Sequence, residues 1–166
     1  MKKMDSLGLM MCRYQAALFE ASIQHTQCSS AIFIRRFMNS DLAKRLDNAG
    51  FLFDSLEITA AIDEVETQYG ASSYGTEKYS MEEMHWIGYI YRYWAYISDK
   101  PSKQIYKMLK PGKLKKLFFP YHSLDPAQAI ERIMENIEPM QEYDLSDIAA
   151  GVAVMRKIRS KWNDQH

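Results

Sequence analysis

The sequence predicts an all-α fold, a single-domain irregular helical bundle over residues 1–166 built around a central aromatic helix at about 80–98. Three observations carry this expectation. Helical apolar spacing and helix-start signals recur from end to end, whereas apolar–polar alternation over strand lengths does not. The segment from Met84 to Ile97 holds two tryptophans and four tyrosines in fourteen residues with one arginine among them, the composition of a helix covered on several sides. A chain of 166 residues and 47% apolar composition suits one core that removes roughly 70% of the unfolded surface from water.

The first helix is expected from about Ser6 to Thr26, with Met10, Tyr14, Ala17, Leu18, Ala21 and His25 near one face. Ser29 and Ser30 offer caps for a shorter helix through Ile32, Phe33 and Phe37. Ser40 offers one for a third piece containing Leu42 and Leu46 and ending at Gly50. Asp54 and Glu57 have the spacing of a carboxylate-capped box. The helix they open turns Leu56, Ile58, Ala61, Ile62 and Val65 inward and its acids outward. Gly70 and Gly75, with Ser72 and Ser73 between them, mark a loop.

Ser80 and Glu83 form the best capping box and launch the aromatic helix. On it Trp86, Ile90, Tyr93 and Ile97 share one face, while Gly88 and Ala95 leave a smooth strip where a neighbour can approach closely. Pro101 fits the first turn of the next helix, whose inner face is Ile105, Met108 and Leu109, and Pro111-Gly112 is expected to end it. Leu114, Leu117, Phe118 and Phe119 imply a further turn or two before Pro120. Asp125, Pro126 and Gln128 begin a helix through Ile130, Ile133, Met134 and Ile137, closed by Pro139. A last helix is expected from Asp144 to about Trp162, with acids at its positive end and Arg156, Lys157, Arg159 and Lys161 at its negative end.

Twenty-one basic side chains balance 21 acidic ones, which argues against disorder and against a global nucleic-acid-binding charge field. Any electrostatic function must be local. Cys12 and Cys28 lack C-x-x-C spacing and no signal segment precedes them, so two reduced, packed thiols in the cytoplasm are expected. Arg92 interrupts the longest apolar run, so no membrane span is expected. His25, His85, His122 and His166 are dispersed, with no H-E-x-x-H or finger spacing, and no phosphate-cradling or nucleophile-elbow motif occurs. Neither a metal nor a cofactor is expected.

Two groups of side chains could carry recognition. His85, Tyr89, Arg92 and Tyr96 follow one another at i, i+4, i+7 and i+11 on the central helix. An imidazole, a guanidinium and two phenols could bind an anion or a partner's carboxylate. The simpler reading has Arg92 satisfying acceptors of its own domain, such as an acid of the 57–66 helix. The second group is Lys103, Lys107, Lys110, Lys113, Lys115 and Lys116, in a stretch without an acid between Lys100 and Leu124. Lys103, Lys107 and Lys110 would line one helix face beside Tyr106, near Phe118, Phe119, Tyr121 and His122. That patch could hold nucleic-acid backbone, dock an acidic protein surface, or be simply solvated. Arg35-Arg36, between Ile34 and Phe37, has only a superficial likeness to a phosphate-contacting pair, and one of the two is expected to face solvent and the other to run along a helix edge. The 11 methionines and 11 tyrosines suit either an adaptable core or a protein interface.

Three stretches together carry a family resemblance: Phe33-Ile34-Arg35-Arg36-Phe37-Met38, then Trp86 to Trp94, then Tyr121-His122-Ser123-Leu124-Asp125-Pro126 continuing into Ala129-Ile130-Glu131-Arg132. Over residues 30 to 137 the chain resembles uncharacterised small bacterial proteins that look like antitoxin or accessory members of toxin–antitoxin cassettes. The resemblance implies a protein partner, a toxin encoded nearby, and carries over no binding residue. The leading expectation is therefore a non-enzymatic protein-binding module. The alternatives are a nucleic-acid-binding regulator using the lysine segment, and an enzyme with a site around His85, Tyr89 and Arg92.

Overall fold

Asp5 caps the first helix, which starts at the expected Ser6. In the computed structural model, which describes residues 1–48, 56–137 and Arg159, the Asp5 carboxylate accepts from the Gly8 N–H at 2.9 Å and α1 runs Ser6–His25. Ser29 caps α2 (Ser30–Met38) by accepting from Ile32 N–H. The Ser40 hydroxyl accepts from Ala43 N–H at 3.1 Å and opens α3 (Asp41–Asn48). Then come α4 (Ile58–Tyr69), α5 (Met81–Ser98), α6 (Ser102–Met108), α7 (Pro111–Tyr121) and α8 (126–137). No strand occurs among the described residues. At the head of α5 both halves of the expected capping box form, Glu83 N–H to Ser80 at 3.1 Å and Ser80 N–H to Glu83 at 3.0 Å.

The chain divides into two compact units, Met1–Ile130 and Glu131–His166, and the packing that follows is that of the first. α5 lies along α1, with α4 against α1 and with α6 and α7 against α5. Gly88 permits this closeness. A Cβ there would sit 2.8 Å from the Gln15 carbonyl oxygen and 3.0 Å from Ala16 Cα, so the expected smooth strip is the seat of α1. Phe19 meets Phe33 and Phe37 edge-on, with centroids 5.8 and 5.1 Å apart, a geometry that adds about 0.5–1.5 kcal/mol per pair beyond burial. Met84, Ile87, Tyr91 and Trp94 complete the core from α5, all fully buried. The Tyr91 hydroxyl donates to Leu109 O at 2.6 Å. The Trp94 indole N–H is buried with no partner among the described residues.

Four sequence expectations need correction. The buried face of α1 includes Met11, Gln15, Leu18 and Ser22, whereas Met10 and His25 are exposed. The face is turned by one residue, about 100°, because two polar side chains lie inside it. Gln15 is bonded at both ends of its amide, and the Ser22 hydroxyl donates to Phe19 O. α4 begins at Ile58, and Glu57 at its cap makes no side-chain capping bond; Asp54 lies outside the described residues. Pro111-Gly112 does not end α6, which stops at Met108 as Leu109 turns extended; Pro111 instead opens α7, where its fixed φ suits the first helical turn. α7 also runs through Pro120 to Tyr121 rather than stopping before it. The expected stop at Gly50, the closure at Pro139 and the helix from Asp144 lie outside the described residues, except that Arg159 is helical.

Candidate functional site

A guanidinium at the middle of the central helix has to be paired, because burying an unpaired charge costs several kcal/mol. Arg92 is 1% exposed. Its Nε donates to Gln15 Oε1 at 2.8 Å, one terminal nitrogen to Asp47 Oδ1 at 2.6 Å and the other to Ser102 Oγ at 2.9 Å. Asp47 also accepts from the Ser102 N–H at 2.9 Å and its hydroxyl at 2.7 Å, while Gln15 Nε2 donates to Gly88 O at 3.1 Å. One arginine thus ties α1, α3, α5 and the first residue of α6 together. The acid that pairs it comes from α3, not from the 57–66 helix; there Glu64 pairs with Arg45 instead.

Above this network is a recess of about 400 Å³ whose lining includes Arg92, Asp47, Tyr96, Met11, Lys2 and Lys100. At its rim the Lys2 ammonium sits 4.0 Å from the Tyr96 ring centroid, and the Tyr96 hydroxyl donates to Asp5 at 2.7 Å. The Gly8 N–H and then this hydroxyl hold the Asp5 carboxyl below its ordinary pKa. The recess therefore combines two ammonium groups and the Asp99 carboxylate with a guanidinium already engaged by Asp47.

Arg92 and Tyr96 share the recess, while His85 and Tyr89 do not line it. His85 is exposed, with Nδ1 3.1 Å from a Glu20 carboxylate oxygen. Tyr89 stacks on Tyr93 at 6.2 Å between centroids, and burial raises the pKa of both phenols. The four residues hold their helical register without converging on one substrate-sized space. Gln15, Asp47 and Ser102 were not singled out from sequence. The only signals were a glutamine inside an otherwise apolar run and a serine following Pro101.

The lysines spread over two helices. Lys103 and Lys107 are exposed on α6, and Lys113 and Lys116 are exposed on α7. Lys110 lies between the helices, not on the α6 face, and stands over the Tyr106 ring at 4.2 Å. Lys115 is half-buried, 3.1 Å from Glu77 and 4.9 Å from the Tyr79 ring centroid. Five of the six are thus on the surface and one is spent internally. At the far end of α7, Phe119 is 85% exposed. Phe118 meets Trp86 edge-on at 5.8 Å, and His122 stacks on Phe118 at 4.5 Å.

Both cysteines are buried and free, and burial pushes the Cys12 thiol up to about 12. Among the described residues no group of three or more His, Cys, Asp or Glu side chains could hold a metal ion, and no helix is long and apolar enough to cross a membrane. Comparison with known proteins gave no match to a family model, a curated protein or a solved structure.

Proposed function

We propose that the protein is a non-enzymatic, cytoplasmic protein-binding module that docks an acidic surface of a protein partner on its α6–α7 face. The observation that carries this reading is the exposed phenylalanine at the end of a lysine-bearing pair of helices. Phe119 is 85% exposed, and the lysines on α6 and α7 have no acid among them in sequence from Lys100 to Leu124. Protein interfaces of this kind place an aromatic anchor within a polar rim. The charge supplies orientation and encounter rate, and the anchor supplies residence time. Arg92, by contrast, is committed to its own fold through three side-chain partners. In the form suggested by the sequence resemblance, the partner is a bacterial toxin whose active site this face covers.

Co-expression with the product of the neighbouring gene, followed by size exclusion, tests the reading. Co-migration is expected, with Phe119→Ala weakening the complex by tenfold or more and Lys113→Glu with Lys116→Glu abolishing it. Independent migration of the two wild-type proteins at micromolar concentration would refute it. The same face favours a second reading, a nucleic-acid-binding regulator, because the Phe118–His122 stack and Phe119 lie next to lysines. Backbone contacts by about five lysines would give a log–log salt slope of about −4.5 for duplex DNA. A flat slope rules that reading out.

A further inference from the structure

The pair Arg35–Arg36 is carried by α2, outside the helices that bear the lysines. Arg35 is exposed, and its guanidinium makes no hydrogen bond or ion pair among the described residues. Arg36 donates to the Gly70 carbonyl at 2.7 Å and lies over the Tyr69 ring at 5.7 Å, and it has no carboxylate partner among the described residues. Among the described residues, then, neither of the two neighbouring guanidinium groups has a carboxylate in ion-pair contact. The acid whose charge acts on Tyr69 is Asp41, and its carboxylate is itself 3.8 Å from the Lys44 ammonium.

Between the two arginines is a recess of about 280 Å³, completed by Asn39 and Tyr69. Its walls are held in place from behind. The Asn39 amide donates to Arg35 O at 2.8 Å, and Gly70 has the positive φ of 80° that turns its carbonyl onto Arg36. Arg36 is thus pre-set by a neutral acceptor, which orients the fork without cancelling its charge. A guanidinium has five N–H donors in a planar fork matched to carboxylate and phosphate oxygens. A monoanion would neutralise one of the two charges, and a dianion both. The volume is just below the range of small-molecule sites, roughly 300–1,000 Å³, which suits a headgroup and excludes a whole dinucleotide.

We propose that the Arg35–Arg36 recess binds a doubly charged oxyanion of the phosphate class, carried on a small ester or on a phosphorylated side chain of a partner. The recess lining comes from α2, its cap and α4, not from α6 or α7, although the Arg35 charge acts on Tyr106 of α6; phosphate titration reads this site separately from partner binding. The test titrates the full chain in parallel with inorganic phosphate, a nucleoside monophosphate and a phosphotyrosine peptide, at fixed ionic strength, following the arginine side-chain resonances. Saturable shifts of the Arg35 and Arg36 signals are expected. Arg35→Ala should weaken binding by tenfold or more with an unchanged melting curve, and Arg35→Lys should restore only part of it because the planar fork is lost. Tighter binding of the nucleotide would assign a small ester, tighter binding of the peptide a modified partner, and equal binding a site that reads the phosphate alone. Non-saturable shifts, equal shifts with acetate, or full binding by the Arg35→Ala, Arg36→Ala double variant would overturn the proposal.

Discussion

Arg92 is held at its tip by a carboxylate that is almost as enclosed as itself, with side-chain exposures of 2% and 10% for Arg92 and Asp47. Removing one partner strands the other charge in a dry environment. Arg92→Ala and Asp47→Ala are each expected to cost about 3–5 kcal/mol in denaturant unfolding. Arg92→Met combined with Asp47→Asn should cost less than the worse of the single changes, because no unpaired charge remains. A double variant at least as unstable as the two singles added together would refute this account of the pair. From sequence, the choice between a binding and a structural role for Arg92 was open. Its partners come from residues 45 positions before it and 10 after it, separations that no local pattern encodes.

Cys12 poses a second question at this scale. Its folded pKa is raised from 9.0 to about 12 by burial, so the folded chain keeps its proton where the unfolded chain releases it. The thiol's contribution to stability is therefore constant below pH 9, falls as pH rises through the unfolded value, and levels off near 12. Tyr14, raised from 10.0 to about 12 chiefly by burial, acts in the same direction over a narrower window. Cys12→Ala should flatten the decline in unfolding free energy between pH 9 and 11. A parallel profile for wild type and variant would show that the thiol does not contribute.

At the scale of helices, Gly88 decides how near α1 and α5 can lie. An alanine there improves helix propensity by about 1 kcal/mol, yet its Cβ would press on the backbone of Gln15 and Ala16. Backbone cannot swing aside as a side-chain tip can, so overpacking at about 1–3 kcal/mol outweighs the gain. Gly88→Ala is expected to lower the melting temperature. Ser80→Ala, which removes half of a complete capping box, should cost about 1 kcal/mol in the same assay. The box was readable in advance because its four residues are contiguous and its chemistry is local. So were the Ser29 and Ser40 caps and the small-residue strip on α5. The register of α1 was not, since Gln15 and Ser22 look solvent-facing until the bonds that satisfy them are known. Nor was the role of Pro111-Gly112, because a proline serves at a helix start as readily as after a helix end.

Across the whole molecule, a formal net charge of zero conceals a segregated surface, with lysines collected on α6 and α7 and the Arg35–Arg36 pair on α2. The segregation of the lysines was visible as an acid-free run of sequence. The recess between the arginines was not, because Tyr69 and Gly70 reach it only through the packing of α4 beside α2. The all-helical class followed from periodicity and helix-start signals, both of them local. The placement of each charged group depended on which helix happened to lie next to it.

The two tryptophans of the central helix sit in unlike surroundings, and light can read the difference. Trp94 is sealed in with an unsolvated indole, whereas Trp86 is half-buried against Phe118. With Trp162 replaced by phenylalanine, emission from Trp94 should shift only when the chain melts. Emission from Trp86 should respond whenever something settles over the end of α7, so the chain carries an optical gauge of occupancy beside an optical gauge of integrity.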